Sequence, residues 1–172
     1  VEVYSDAEFV ALYCNDKQIG KKRPKKFRAM FKLPYQPGTL KAVALDKNGN
    51  AIGETMLQTA GQETRLHLTP EKTTLCADGQ SLCFISITLT DAVGIWKPCA
   101  NAKVHVEIDG PATLQALGSA ATQTDENYLN DTHTTWLGRA LAVVRVGTEP
   151  GRVCVTVTAA GYEPQCVELA AQ

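Results

Sequence analysis

No apolar run in the sequence approaches the ~20 residues that a membrane-spanning helix needs, so insertion by helix is not expected. An excess of charge of one sign is also missing. Seventeen basic and eighteen acidic side chains leave a formal net charge of −1. No overall electrostatic pull toward nucleic acid or anionic membrane follows from that balance, and neither is expected as a partner. Aromatics make up only 6% of the chain, and helical periodicity is nowhere sustained. The CxxC and HExxH spacings are absent, and none of His67, His105 and His133 has Cys or His at ligand spacing. Metal and cofactor sites are therefore not expected. The histidines read as core or surface residues, with His67 and His105 on strands and His133 in a loop. Cys99 has no base near it in sequence, which leaves a thiol nucleophile unsupported.

What is present is strand. Phe84–Thr90, Lys103–Ile108 and Arg152–Thr158 each place branched apolar residues at one parity and polar residues at the other, as a half-buried strand does. Leu40–Leu45 alternates likewise and runs into the turn Asp46-Lys47-Asn48-Gly49-Asn50. Further turns fall at Asn15-Asp16, Pro37-Gly38, Asp78-Gly79, Asp109-Gly110-Pro111 and Glu149-Pro150-Gly151. Short strands with turns every ~8–12 residues predict β-sandwiches. The polar stretch from Ala120 to Thr135 reads as one long irregular segment with room for a helical turn.

A seam falls near Gly61, dividing residues 1–61 from 62–172. A domain of about sixty residues buries only ~60% of its unfolded surface, so the first module should lean on a neighbour. No Ser/Gly linker separates the two. Val1-Glu2-Val3-Tyr4 already reads as a strand, without a basic leader or initiator Met, and the expectation is a chain cut from something longer.

Six cysteines exceed the usual content of a cytosolic β-protein but fall short of a disulfide scaffold. Cys14 and Cys83 share parity with apolar neighbours and should be buried. Cys154 and Cys166 lie at outward parity. A hairpin closing at Ala159-Ala160-Gly161 would set them opposite each other, close enough for a disulfide but leaving oxidation open. Parity assigns nothing to Cys76 and Cys99.

An ordered series of motifs then points to a family. Val3-Tyr4-Ser5, Val10–Gly20 and Leu33–Ala44 resemble the module that follows the catalytic barrel in bacterial β-galactosidases and related enzymes of glycoside hydrolase family 2. Leu68-Thr69-Pro70, Leu75–Gln80, Val106–Pro111 and Gly138–Arg145 resemble the next module of the same enzymes, in the same order. Departures are Cys14 for Leu, Asp16 for Gly, and Gly118-Ser119-Ala120 where the family has Gly-Asn-Gly.

The resemblance implies an all-β fold of two small immunoglobulin-like β-sandwich domains in tandem. It also implies a non-catalytic accessory role beside a catalytic barrel that is missing from this chain. Retaining glycosidases need two carboxylates about 5 Å apart. The family's Asn-Glu dipeptide is absent here, and Asp125 with Glu126 reads as a solvated loop pair. Expected partners are the parent barrel, a glycan, or a second copy through homodimer contacts. Alternative roles are a carbohydrate-binding module and a bacterial adhesion domain. A bacterial periplasmic or extracellular location is implied.

Two features remain. The basic run Lys21–Arg28 reads either as a patch for anionic glycan or nucleic acid or as a solvated hairpin tip; relatives carry a similar Lys-rich turn, which favours the tip. Packing a Trp buries ~150–250 Å², worth roughly 4–6 kcal/mol, so a small fold should bury at least one. Trp136 is expected to be packed. Trp96 is the candidate for an exposed sugar platform or domain contact, with Tyr128, Trp136 and Tyr162 weaker candidates for the same role.

Overall fold

The computed structural model describes all 172 residues and contains strands but no helix. The chain divides into two compact units, Val1–Thr59 and Ala60–Gln172.

The first unit comprises β1 (Glu2–Tyr4), β2 (Phe9–Cys14), β3 (Lys17–Lys22), β4 (Arg28–Met30), β5 (Thr39–Leu45) and β6 (Ala51–Gln58). Four of these form an antiparallel sheet in the order β3-β2-β5-β6, and β1 pairs with β4 in a separate two-stranded sheet. Alternation decides which side is filled: Val10 and Leu12 of β2 and Ala42 of β5 meet Ala29 and Phe31. Asp46 closes the β5–β6 turn by accepting the Asn48 and Asn50 N–H groups, each at 2.8 Å. The lysines of β3 lie along an edge strand, where they oppose pairing with a foreign strand.

The second unit comprises β7 (Arg65–Pro70), β8 (Thr74–Leu75), β9 (Leu82–Thr90), β10 (Lys103–Asp109), β11 (Ala112–Gly118), β12 (Thr132–Thr134), β13 (Arg139–Val146), β14 (Gly151–Ala159) and β15 (Gln165–Ala171). One sheet runs β11-β13-β9-β7 and the other β12-β10-β14-β15-β8. The inward parity of each long strand fills the space between them. Cys83, Ile85, Ile87 and Leu89 from β9 share one core with Val153, Val155 and Val157 from β14. Each fully buried Val, Leu or Ile contributes ~1.5–3 kcal/mol of transfer free energy. The expected class holds: all-β, with sandwiches in tandem.

Two expectations need correction. The stretch from Ala120 to Thr135 holds no helical turn, and its end is a strand: β12 pairs with β10, setting His133 opposite Val104. Cys154 and Cys166 are joined by a disulfide, with Cα atoms 6.5 Å apart, but not as directly opposed residues. Cys154 stands opposite Glu168, and Cys166 opposite Thr156. The loop between β14 and β15 covers residues 160–164 and is longer than the tight turn assumed, moving the register by two. A shift of two preserves parity, so both cysteines stay on the outer side and the bond runs diagonally.

Candidate functional site: an aromatic knuckle on the second unit

The loop between β9 and β10 is organised by two side chains. Asp91 accepts the N–H groups of Gly61 (2.7 Å), Val93 (3.0 Å) and Ile95 (2.8 Å). The Gly61 N–H is the main reason its carboxyl is held below the usual range; the Ile95 and Val93 N–H groups and the nearby Lys97 add to it. Lys97 Nζ donates to the carbonyl oxygens of Gly61, Gln62 and Glu63 at 2.8–2.9 Å. The strap leading into β7 is thereby tied to this loop.

Next to that tie, Trp96 bridges to Thr90, and its indole Nε1 donates to the Leu137 carbonyl at 2.9 Å. The Arg139 guanidinium covers one face of the indole, 3.8 Å from the ring centroid. Trp136 and Arg139 exchange backbone hydrogen bonds across the two-residue turn Leu137-Gly138, both with positive φ (49° and 70°). Such a turn favours Asn-Gly, so a leucine in its first position is strained. Gly138 is required twice over: a Cβ there would sit 2.5 Å from the Lys97 carbonyl oxygen. The result is a fixed knuckle presenting Trp96, Trp136 and Leu137, which are 37%, 44% and 48% exposed.

Trp136 was expected to be packed, and it is not. His133 and Thr135 occupy the inward parity of this segment, with 0% and 2% exposure, so Trp136 faces outward. Trp96 and Trp136 come together through Leu137 and Arg139. Tyr128 belongs elsewhere: its ring stacks on His133 at a centroid distance of 5.4 Å, and Gly118 leaves room for it.

Asp125 is exposed, but Glu126 is no solvated loop residue. Its carboxylate accepts the Thr134 N–H and hydroxyl, both at 2.9 Å, and lies 3.4 Å from His133 Nδ1. The Thr134 N–H is the largest cause of its lowered pKa, followed by the Thr134 hydroxyl and the charges of His133 and Lys103. His133 is a core residue whose Nδ1 lies 3.0 Å from the Thr134 carbonyl oxygen, while its Nε2 is buried without a partner. Sequence reasoning missed this cluster because its partners lie eight residues apart along an irregular segment. No group of three or more His, Cys, Asp or Glu side chains stands close enough to hold a metal ion.

On the first unit, the basic run is engaged with its own sheet. Lys21 lies over the Phe9 ring and Lys22 over Phe31, while Arg23 pairs with Glu8 at 2.9 Å. The tip is the two-residue turn Lys26-Phe27, closed between Lys25 and Arg28. Cys14 and Cys83 are buried thiols, and Cys76 and Cys99 are exposed ones.

A chain built only of strands contains no (β/α)₈ barrel, and its class is that of a tandem β-sandwich module. Residues 66–168 match the model of the glycoside hydrolase family 2 C-terminal domain 5, and the chain belongs to that family. Residues 1–53 match a domain of unknown function, DUF4982. Beta-galactosidase BoGH2A of Bacteroides ovatus is 26% identical over 171 residues, which is 98% of this chain and 20% of that protein. A putative beta-glucuronidase of Formosa agariphila is 29% identical over 168 residues, covering 93% of this chain and 16% of its own length. The crystal structure of a glycosyl hydrolase family 2 member from Bacteroides cellulosilyticus superposes with a TM-score of 0.95 at 32% identity, covering 99% of this chain and 22% of that one. The chain thus spans about a fifth of the length of the curated relatives it matches, and the catalytic barrel is absent from it.

Proposed function

We propose that this chain is the accessory end of a larger bacterial family 2 glycoside hydrolase, exported to the periplasm or cell exterior. In this reading it packs as two immunoglobulin-like sandwiches beside the catalytic barrel. The observation that carries it is the pattern of coverage: 99% of this chain aligns with only 22% of a family 2 member. The knuckle suits a contact role. Arg139 covers one face of Trp96 and Leu137 takes its N–H, so the indole is held as a rigid apolar projection.

The test is deletion of this segment from the full-length enzyme, with Trp136→Ala as the finer variant. Deletion is expected to lower the thermal midpoint of the barrel by several degrees, and Trp136→Ala to give part of that loss. Isolated chain should leave aryl β-galactosides and aryl β-glucuronides uncleaved. A truncated enzyme with unchanged midpoint, kcat and KM would overturn the docking role.

A further inference from the structure

The second unit has a hollow distinct from the knuckle. A cleft of about 710 Å³ opens between the strap entering β7, the loop after β9 and the loop joining β14 to β15. That volume lies within the ~300–1,000 Å³ typical of ligand clefts. Its floor includes Leu66 and Thr90, both buried. One wall is fixed in advance: Lys97 holds three successive strap carbonyls, and Asp91 holds the Gly61 N–H. A wall that does not need ordering costs a ligand less on binding.

The rim carries polar groups left available by the fold. His67, Tyr162 and Glu163 line the cleft with no side-chain hydrogen bond to the rest of the chain. Gln165 donates its amide to the Pro164 carbonyl at 3.0 Å and keeps its own carbonyl open. Tyr162 packs partly against the core, which steadies its ring at the edge of the hollow. Arg65 pairs with Glu63 at 2.7 Å. Three carboxylates, from Glu63, Asp91 and Glu163, stand in the lining against the Arg65 guanidinium and the Lys97 ammonium behind the wall, a negative balance that disfavours an anionic ligand.

We infer that this cleft binds a short neutral oligosaccharide. Tyr162 offers an aromatic surface to the C–H face of a pyranose ring, while His67, Glu163 and Gln165 bond to its hydroxyls. The assignment is independent of the docking role and stands or falls on the cleft alone.

The experiment is an amide NMR titration of the intact chain with galactotriose, cellotriose and xylotriose, with a glucuronate-bearing trisaccharide as the charge control. At least one neutral sugar should shift resonances of residues 63–67 and 161–165, with an affinity on the order of millimolar. Glu163→Ala, at an exposed site, should weaken it about tenfold, or ~1.4 kcal/mol, with an unchanged melting temperature. Tyr162→Ala should abolish it, and Glu163→Ala keeps the test decisive if loss of Tyr162 disturbs packing. Four outcomes would overturn the inference: no shift with any neutral sugar, shifts confined to the Trp96 knuckle, equal binding of the glucuronate sugar, or indifference to Glu163→Ala.

Discussion

The second unit seals its core between a four-stranded and a five-stranded sheet, whereas the first covers its four-stranded sheet with two strands of three residues each. Eighteen buried apolar residues form one core and five the other, so each residue of the smaller core carries a larger share of its unit's stability. The edges differ as well. All eight residues of β6 are exposed, Ile52, Met56 and Leu57 among them, while β3 at the other edge of the same sheet carries Lys17, Lys21 and Lys22. The same period-two pattern makes a closed sandwich in one case and an open one in the other. What decides is how much second sheet the chain supplies.

The comparison breaks most easily at the cores. Phe31→Ala should cost ~3–5 kcal/mol and unfold the first unit outright, while Ile87→Ala, at ~2–5 kcal/mol, should lower the urea midpoint of a second unit that stays folded. Amide exchange resolved by unit checks both. Loss of second-unit protection in Phe31→Ala would erase the distinction.

Next in size is the disulfide. Cys154→Ser should destabilise the second unit by about 2–3 kcal/mol, on the loop-closure account of a twelve-residue separation, and leave the first unit's exchange untouched. Leu137→Asn should act in the opposite direction, stabilising the second unit by ~1 kcal/mol because asparagine tolerates positive φ. A thermal melt reads that gain, and a loss would mean that the leucine packs better than its exposure implies.

The smallest effect expected is in acid. Glu126 and Asp91 have folded pKa values below their ordinary 4.5 and 3.8, so their stabilisation is complete above those values. It is lost as pH falls from there through the lowered values. Glu126→Gln should flatten the second unit's stability between pH 4.5 and stronger acid; an unchanged acid limb would assign the effect elsewhere.

Much of the architecture was legible in the sequence because alternation is a direct consequence of one-sided burial. Phe84–Thr90 and Arg152–Thr158 fall within β9 and β14. β12 was not legible, since three residues centred on a histidine carry no apolar period. The register of β14 with β15 depended on a loop length that Ala-Ala-Gly does not specify. At the knuckle, the sequence pointed to an exposed Trp96, as found, but to a packed Trp136, which is exposed. That was settled by which parity His133 and Thr135 took, and by a turn whose leucine departs from the residues such turns prefer.

The tie between Lys97, Asp91 and the strap also has a mechanical side. A pull transmitted along the chain through Thr59 reaches Gly61 before it reaches the first rung of the β7–β9 ladder. Tension is then borne in parallel by three carbonyls on one ammonium and one N–H on a carboxylate, instead of peeling a strand rung by rung. Lys97→Ala would leave the Gly61 N–H on Asp91 as the one tie ahead of Arg65, lowering the force at which the second unit begins to unzip.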